Sequence, residues 1–351
     1  MLRSIALTFL FVIAATNISA ANTAGEASFT GAKQLLIGRF DRREAGSARF
    51  TWPDSALEFR FTGTGATIAI SSNDKARFAV DIDGKVSDLW VDKGNASYTL
   101  ASGLPSSEHT LRLTRLAESF STLTGFTSDP SIEGGSLLPA PAAAQRHLLF
   151  IGDSITAGYG DEGASKECHY TQDSSNPLLT YAALAAKNLD ADHQLIAWSG
   201  IGAWRSYGET TPKNPNILTR YQRTLADDPS SHWDSSRYTP DAIVINIGTN
   251  DYWNGDPGAE YRRAMQALIA QVQKDYPGKP VFLIVSPMLT NENRASQASV
   301  LASLASDKVK VLDLGKIEAS EGYGCDYHPN TATHARLGKA LTQDLKKDLN
   351  W

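Results

Sequence analysis

Four short polar segments of the sequence hold the residue types that acyl transfer requires. A Gly-Asp-Ser segment ends at Ser154 and offers a hydroxyl nucleophile between small neighbours, and an Asp-Tyr-His segment ends at His328 and offers a base that titrates near neutral pH. The Ser-Gly-Ile-Gly segment 199–202 can turn backbone N–H groups toward a neighbouring site, and the Gly-Thr-Asn-Asp segment 248–251 adds a side-chain amide. Donors that converge in this way stabilise the oxyanion of an acyl-transfer intermediate.

Each segment also has an ordinary structural explanation when it is taken alone. Asp and Ser after a strand are common helix caps, and Gly or Asn-Asp pairs are common in turns. The prediction therefore depends on the four segments occurring together, each after a buried strand or before the last helix. His169 is a rival base because it lies close after Ser154, whereas His334 falls inside a helical pattern and fits a solvated surface histidine.

The elements that must position these segments alternate between strands and helices. Five apolar runs are too short for helices and are apolar on both faces, as is typical of buried parallel strands: 147–151, 194–198, 242–247, 281–285 and 309–312. Helical stripes lie between or after them, with Tyr261, Met265, Leu268 and Val272 in one and Leu337, Leu341 and Leu345 in another. The pattern predicts a doubly wound, flavodoxin-like α/β domain over 147–351, with its reactive groups at the carboxyl ends of the strands.

The preceding residues have a period of two instead. Leu57, Phe59 and Phe61 alternate with polar residues, and Asp83-Gly84 is a strong tight-turn signal. We therefore predict an antiparallel β-sandwich, jelly-roll-like, over residues 22–136. Residues 137–146 contain two prolines and no periodic pattern, which indicates a linker.

The first 20 residues have the layout of a secretory signal peptide. A positive start at Met1–Arg3 precedes an apolar run that is too short to span a membrane, and small residues follow at 19–21. Export would place the only two cysteines, Cys168 and Cys325, in an oxidising compartment, where a disulfide is favoured over two free thiols. The predicted location is therefore the periplasm or the medium.

Charge and composition exclude other classes of function. The net charge is −5 and no basic run occurs, so neither nucleic acid nor an anionic membrane is expected as the main partner. Acyl transfer through Ser154 would proceed by an acyl-serine, with no metal and no cofactor.

The four segments together resemble the conserved blocks of the SGNH (GDSL) hydrolase superfamily, over about residues 147–351. The resemblance implies that Ser154 is the nucleophile and His328 the base. It also implies an oxyanion hole made by the amides of Ser154 and Gly202 and the side chain of Asn250, with Gly200 as the alternative to Gly202.

The chain departs from the superfamily at one position. The superfamily usually has Asp three residues before its His, where this sequence has Cys325. Either Asp326, two residues before His328, orients the imidazole, or a backbone carbonyl does so and leaves a Ser–His dyad.

The sandwich, the hydrolase domain and the Cys-Asp-aromatic-His motif of 325–328 resemble carbohydrate esterase family 2, as does the segment 118–126. This resemblance implies a secreted serine esterase that removes acetyl groups from plant polysaccharides such as xylan and glucomannan. It also implies a Cys168–Cys325 disulfide across the mouth of the site.

Aromatic residues near the site suit a glycan substrate, because ring faces stack on the apolar faces of sugars. Tyr252 and Trp253 follow the Asn250 segment and Trp204 follows Gly202, although Trp204 or Trp253 could simply cover the core. Three further residues are candidates for contacts to sugar hydroxyls: Asp161, Asp251 and Tyr327.

Two alternative functions remain open from the sequence. The protein could be an SGNH esterase, a lysophospholipase or a thioesterase acting on a non-glycan ester. It could also be a glycan-binding protein with an inactive hydrolase half, although the complete set of candidate catalytic residues argues against that.

Overall fold

The computed structural model describes residues 33–351, and the first part of this range is built from antiparallel strands. The predicted signal peptide, 1–20, and the first residues of the predicted sandwich lie outside the described residues. The strands are β1 (Gln34–Ile37), β2 (Ala48–Phe50), β3 (Ala56–Gly63), β4 (Gly65–Ser72), β5 (Ala76–Ile82), β6 (Lys85–Val91), β7 (Gly94–Ala101), β8 (Ser107–Arg115), β9 (Thr124–Phe126), β10 (Ser131–Glu133) and β11 (Ser136–Leu137).

These strands form two sheets with a shared apolar core. One sheet has the order β1-β3-β8-β5-β6 with β11 beside β3, and the other has the order β10-β4-β9-β2 with β7 beside β4. Alternate residues of β3 and β4 are buried, as the period of two predicts. Phe59 and Phe61 from the first sheet share one core with Ile68, Ile70 and Phe126 from the second, which confirms the antiparallel sheet domain.

The second domain has a central sheet of five parallel strands. They are β12 (Arg146–Gly152), β13 (Ala191–Ala197), β14 (Ala242–Asn246), β15 (Val281–Ile284) and β16 (Val309–Leu312). Their order in the sheet is β13-β12-β14-β15-β16, which is the flavodoxin-like order. The helices are α1 (Ser154–Ala157), α2 (Tyr181–Asn188), α3 (Ile217–Tyr221), α4 (Ala259–Asp275), α5 (Asn291–Ala302) and α6 (Thr331–Leu349).

Helices cover both faces of this sheet. Successive strand residues point to opposite faces, and the residues on each face are buried under helices. Leu148 and Phe150 of β12 pack in one core with Tyr181 of α2 and the Leu337 stripe of α6. Leu149 and Ile151 pack in the other core with α3, α4 and α5. The predicted doubly wound domain is confirmed. Among residues 33–351, no helix combines the length and the apolar character needed to cross a membrane.

Buried polar contacts fix the two domains against each other. The Arg39 guanidinium is fully buried and donates to the main-chain oxygens of Tyr221 and, at 2.9 Å, Arg223. Trp52 is also buried, and its indole N–H donates to the Thr224 carbonyl at 2.9 Å. Because buried polar groups are costly to leave unpaired, these contacts hold the sandwich in one position on the hydrolase domain.

Candidate active site

Ser154 stands in a sharp turn at the carboxyl end of β12. It is the first residue of α1, and the Asp153 side chain caps this short helix by accepting from the Ile155 amide at 3.0 Å. A β-carbon at Gly152 would lie 1.9 Å from the Thr156 hydroxyl oxygen, so only glycine fits before the turn. The turn places Ser154 in a cleft of about 1040 Å³.

His328 reaches Ser154 from the loop that precedes α6. Its Nε2 lies 2.8 Å from the Ser154 Oγ, and its Nδ1 lies 3.1 Å from the main-chain oxygens of both Cys325 and Asp326. A carbonyl can only accept, so Nδ1 carries the hydrogen and Nε2 is left to accept the hydroxyl proton. This is the tautomer that a general base for Ser154 requires.

The carboxylate of Asp326 does not contact His328, which corrects its prediction as the third catalytic side chain. It accepts instead from the Tyr159 hydroxyl at 2.8 Å and pairs with the His169 Nδ1 at 2.7 Å. Asp326 and Tyr327 have φ of 52° and 64°, and this left-handed turn directs the carboxylate away from the imidazole. Of the two alternatives left open by the sequence, the geometry favours the backbone carbonyl.

A disulfide holds the loop of His328 against the loop that follows Ser154. Cys168 and Cys325 are bonded, the Cys325 amide donates to the Gly160 carbonyl at 2.9 Å, and the Asp326 amide donates to the Cys168 carbonyl at 3.0 Å. A β-carbon at Gly163 would lie 2.4 Å from the Cys325 sulfur, so the bridge needs glycine beside it. The loops that carry Ser154 and His328 are thus held together by a covalent bridge.

The environment of His328 keeps its imidazole neutral. Burial lowers the pKa of His328 to about 4, although the Cys325 and Asp326 carbonyls act in the opposite direction. The imidazole of His328 is therefore in its proton-accepting form throughout the neutral range.

The other two candidate histidines have different surroundings. His169 is 88% exposed and contacts Asp326, not Ser154. His334 is buried, which corrects its prediction as a solvated surface residue: its Nδ1 accepts from the Tyr181 amide at 3.2 Å. Burial also lowers the pKa of His334, to about 3.

Of the candidate oxyanion donors, Asn250 and Gly200 line the cleft with Ser154, whereas Gly202 does not. Asn250 lines the cleft with Ser154, and one of its amide hydrogens donates to the Ile201 carbonyl at 2.8 Å while the other remains available. Gly200 also lines the cleft. Gly202 does not: it is buried in packing, where a β-carbon would lie 1.9 Å from the Arg205 carbonyl. The structure thus favours Gly200, the alternative left open by the sequence.

Two of the three residues proposed for sugar hydroxyls have structural contacts instead. Asp251 is buried and accepts from the amides of residues 203–205 at 2.7–3.0 Å, and burial raises its pKa to about 6. Asp161 is buried and accepts from the Asn176 amide at 2.8 Å. Tyr327, the third, lines the cleft and is 58% exposed.

Aromatic rings line the cleft, but they are not all the predicted ones. Trp253 is 59% exposed in the cleft, and Tyr252 lines it while being almost fully buried. Trp204 is not part of the lining, and its ring lies 5.1 Å from the Arg205 guanidinium. Sequence reasoning missed four tyrosines that line the cleft, at 159, 170, 207 and 323.

Two of these tyrosines support residues already named. The Tyr207 ring lies 4.5 Å from that of Trp253, and the Tyr159 ring lies 4.3 Å from that of His328. Tyr159 follows Ser154 by five residues, so its nearness to the nucleophile was a usable signal. Tyr207 lies in a loop without any motif, and nothing in the sequence pointed to it.

Comparison with known proteins identifies a matching family for each half of the chain. Residues 150–336 match the GDSL-like Lipase/Acylhydrolase family, and residues 36–141 match the carbohydrate esterase 2 N-terminal family. Cellulase/esterase CelE of Acetivibrio thermocellus is 35% identical over 326 residues, which are 90% of this chain and 40% of that protein. An acetylxylan esterase / glucomannan deacetylase of Cellvibrio japonicus is 28% identical over 317 residues, with 86% of each chain covered.

A solved structure extends the similarity to the whole arrangement of domains. A family two carbohydrate esterase from Clostridium thermocellum, in complex with cellohexaose, is 35% identical with a TM-score of 0.86. The match covers 91% of this chain and 99% of that one. The chain therefore belongs to carbohydrate esterase family 2, whose named members are carboxylic ester hydrolases.

Proposed function

We propose that this protein removes O-acetyl groups from plant polysaccharides such as xylan and glucomannan through an acyl-serine intermediate. The observation that carries the proposal is the 2.8 Å contact between the Ser154 Oγ and the His328 Nε2 in an open, aromatic-lined cleft. A serine hydroxyl becomes an effective nucleophile only beside such a base.

In the first half of the reaction, the Ser154 Oγ attacks the acetyl carbonyl while its proton passes to the His328 Nε2. The amides of Ser154 and Gly200 and the free N–H of Asn250 donate to the oxyanion. The main-chain oxygens beside Nδ1 stabilise the imidazolium, the role that a carboxylate has in a triad. The imidazolium then protonates the departing sugar oxygen, leaving acetyl-Ser154.

In the second half, water attacks the acetyl-enzyme while His328 takes its proton. The second tetrahedral intermediate collapses to acetate, and the Ser154 hydroxyl recovers the proton from the imidazolium.

A polysaccharide substrate is supported by the open cleft and its exposed Trp253, beside which the Tyr207 ring lies. The names of the relatives support it further, since one is an acetylxylan esterase / glucomannan deacetylase and another binds cellohexaose. A polymer of this kind lies outside the cell, so we also propose that the chain is exported, in keeping with the signal-peptide pattern of residues 1–20.

The test of the function is acetate release from acetylated xylan and acetylated glucomannan, compared with 4-nitrophenyl acetate and a long-chain 4-nitrophenyl ester. We expect release from both polysaccharides and little cleavage of the long-chain ester. Cleavage of the small acetate or the long-chain ester alone would overturn the polysaccharide substrate. Cleavage of none, with binding of the polysaccharides retained, would favour the binding-protein alternative.

Replacing Trp253 by alanine should weaken catalysis on the polymer alone. We expect kcat/KM on acetylated xylan to fall about three- to tenfold, as for one aromatic contact, with little change on 4-nitrophenyl acetate. Trp253→Tyr keeps a ring and should recover most of the loss. Equal effects on both substrates would show that Trp253 supports the fold and not the glycan.

The pH dependence should reflect the lowered pKa of His328. Because His328 must be neutral to act as the base, kcat/KM should have its full value at pH values above the pKa of His328 in the folded protein. It should fall as the pH drops through about 4. The measurement is kcat/KM on 4-nitrophenyl acetate between pH 3 and 8, with circular dichroism at each pH to exclude unfolding. An acid limb near 6.5, the ordinary histidine value, would contradict a base that desolvation keeps neutral.

Replacing Asp326 by asparagine should leave most of the activity. Asparagine tolerates the left-handed backbone at this position and replaces the carboxylate by a neutral amide of nearly the same shape. The loss of its contacts to Tyr159 and His169 should cost less than about tenfold in kcat, by the worth of ordinary hydrogen bonds. A fall of about 10⁴-fold, as for the aspartate of a triad, would restore Asp326 as the third catalytic side chain.

A further inference from the structure

A buried carboxyl group from the sandwich reaches the loop that follows β13. Glu118, between β8 and β9, is fully buried, and its Oε1 accepts from the Ser199 hydroxyl. The other carboxyl oxygen, Oε2, is buried and has no hydrogen-bond partner among residues 33–351. Burying a carboxyl group is costly unless it is hydrogen-bonded. The placement of the buried Glu118 carboxyl group against the Ser199 hydroxyl therefore needs an explanation.

The loop that presents Glu118 is built by another buried residue. The Arg115 guanidinium donates to the main-chain oxygens of Ala117, Glu118 and Thr122 at 2.8–3.1 Å. It therefore shapes the loop and makes no side-chain ion pair with Glu118. The Ser119 hydroxyl donates to the Ala197 carbonyl at 2.7 Å, so this loop also contacts the last residue of β13.

Ser199 immediately precedes Gly200, and the peptide between them carries the N–H that the proposed mechanism directs at the oxyanion. Gly200 has φ of 79° and no side chain, so its own packing cannot fix the orientation of that peptide. The contact of Glu118 with the Ser199 hydroxyl fixes the chain on the N-terminal side of this peptide. On its C-terminal side, the Tyr207 amide donates to the Gly200 carbonyl at 2.8 Å and fixes the chain there.

We propose that Glu118 is a positioning residue that holds the Gly200 amide of the oxyanion hole through Ser199. The sandwich domain then takes part in catalysis, because it supplies the group that orients a donor in the other domain. This inference rests on the proposed esterase function and on Gly200 as a donor.

The test uses the full chain with 4-nitrophenyl acetate as substrate and methylboronic acid as a mimic of the tetrahedral intermediate. Glu118→Ala should lower kcat about 10- to 100-fold, part of the loss expected when one oxyanion donor is removed, with a much smaller change in KM. Affinity for methylboronic acid should fall in parallel. Glu118→Gln keeps an acceptor for the Ser199 hydroxyl and should recover kcat to within a few-fold.

Two further variants separate positioning from folding. Ser199→Ala should lower kcat in the same direction, and the double variant should lose little more than Glu118→Ala alone, because one contact is removed in both. Ser121→Ala is the matched control, since this hydroxyl donates to the Glu118 carbonyl at 2.7 Å but does not contact Ser199. The Tm of each variant is measured alongside.

The outcomes distinguish this inference from the proposed function. An active wild type whose Glu118→Ala and Ser199→Ala variants keep kcat and boronic acid affinity within twofold would overturn the positioning role, whatever their Tm. If Glu118→Ala does not fold, unchanged kinetics of Ser199→Ala alone overturn it. A wild type that cleaves no ester overturns the function first, and the inference with it.

Discussion

Replacing Ser154 by alanine should lower kcat on acetylated xylan and on 4-nitrophenyl acetate by about 10⁴-fold or more. Among residues 33–351, the only hydroxyl that hydrogen-bonds to His328 is that of Ser154, at 2.8 Å from the Nε2. Removal of the nucleophile leaves only the oxyanion donors and substrate binding, which in serine hydrolases retain a small residual rate. Binding of the polysaccharide should survive, because the cleft lining is otherwise unchanged.

The same experiment includes His328→Ala and the double variant. If Ser154 and His328 act as one unit, the double variant should be no slower than the slower of the two single variants. His232→Ala is a matched histidine control, since His232 is exposed and lies outside the cleft. A Ser154→Ala protein that keeps more than about a hundredth of the wild-type kcat would show that another group is the nucleophile. The Tm of each variant is measured alongside, so that unfolding can be excluded as the cause.

The proximity of Ser154 and His328 was predictable because their segments lie where a parallel sheet concentrates reactive groups. Ser154 lies two residues after the end of β12, the Asn250 segment follows β14, and His328 lies just before α6. The hydrophobic pattern of short buried strands and helical stripes is enough to predict a parallel sheet covered by helices. Its geometry then brings together residues up to 174 positions apart in the chain.

The sequence left alternatives open where backbone conformation decides the outcome. Asp326 lies two residues before His328, but in a turn where Asp326 and Tyr327 both have positive φ its carboxylate contacts Tyr159 and not the imidazole. The choice between Gly200 and Gly202 depends on the path of one loop. That path buries Gly202 against the Arg205 carbonyl. No sequence pattern predicts this contact.

The placement of His334 on the surface was an avoidable error. His334, Leu337, Leu341 and Leu345 are all buried, and their spacing of three and four residues puts them on one face of α6. The histidine therefore belonged to the apolar stripe that had already been recognised. A polar residue in such a stripe predicts a buried hydrogen bond, here the one accepted from the Tyr181 amide.

Replacing Asn250 by alanine should lower kcat on 4-nitrophenyl acetate by about 10²- to 10³-fold, with KM changed much less. One N–H of the Asn250 amide is used by the Ile201 carbonyl at 2.8 Å, which fixes the side chain over the cleft. The other N–H is the donor that we assign to the oxyanion. Since charge on that oxygen appears only in the tetrahedral intermediate, the loss should fall on kcat.

A matched variant, Asn250→Asp, separates the two roles of this side chain. Aspartate has nearly the same shape but places a negative charge and no N–H beside the oxyanion, so its kcat should be at least as low as that of Asn250→Ala. If the residue acted only by holding the Ile201 carbonyl, methylboronic acid would bind both variants as tightly as it binds the wild type. A parallel loss of kcat and boronic acid affinity, with KM nearly constant, is what an oxyanion donor requires, because both measurements depend on the tetrahedral oxygen that the substrate ground state lacks.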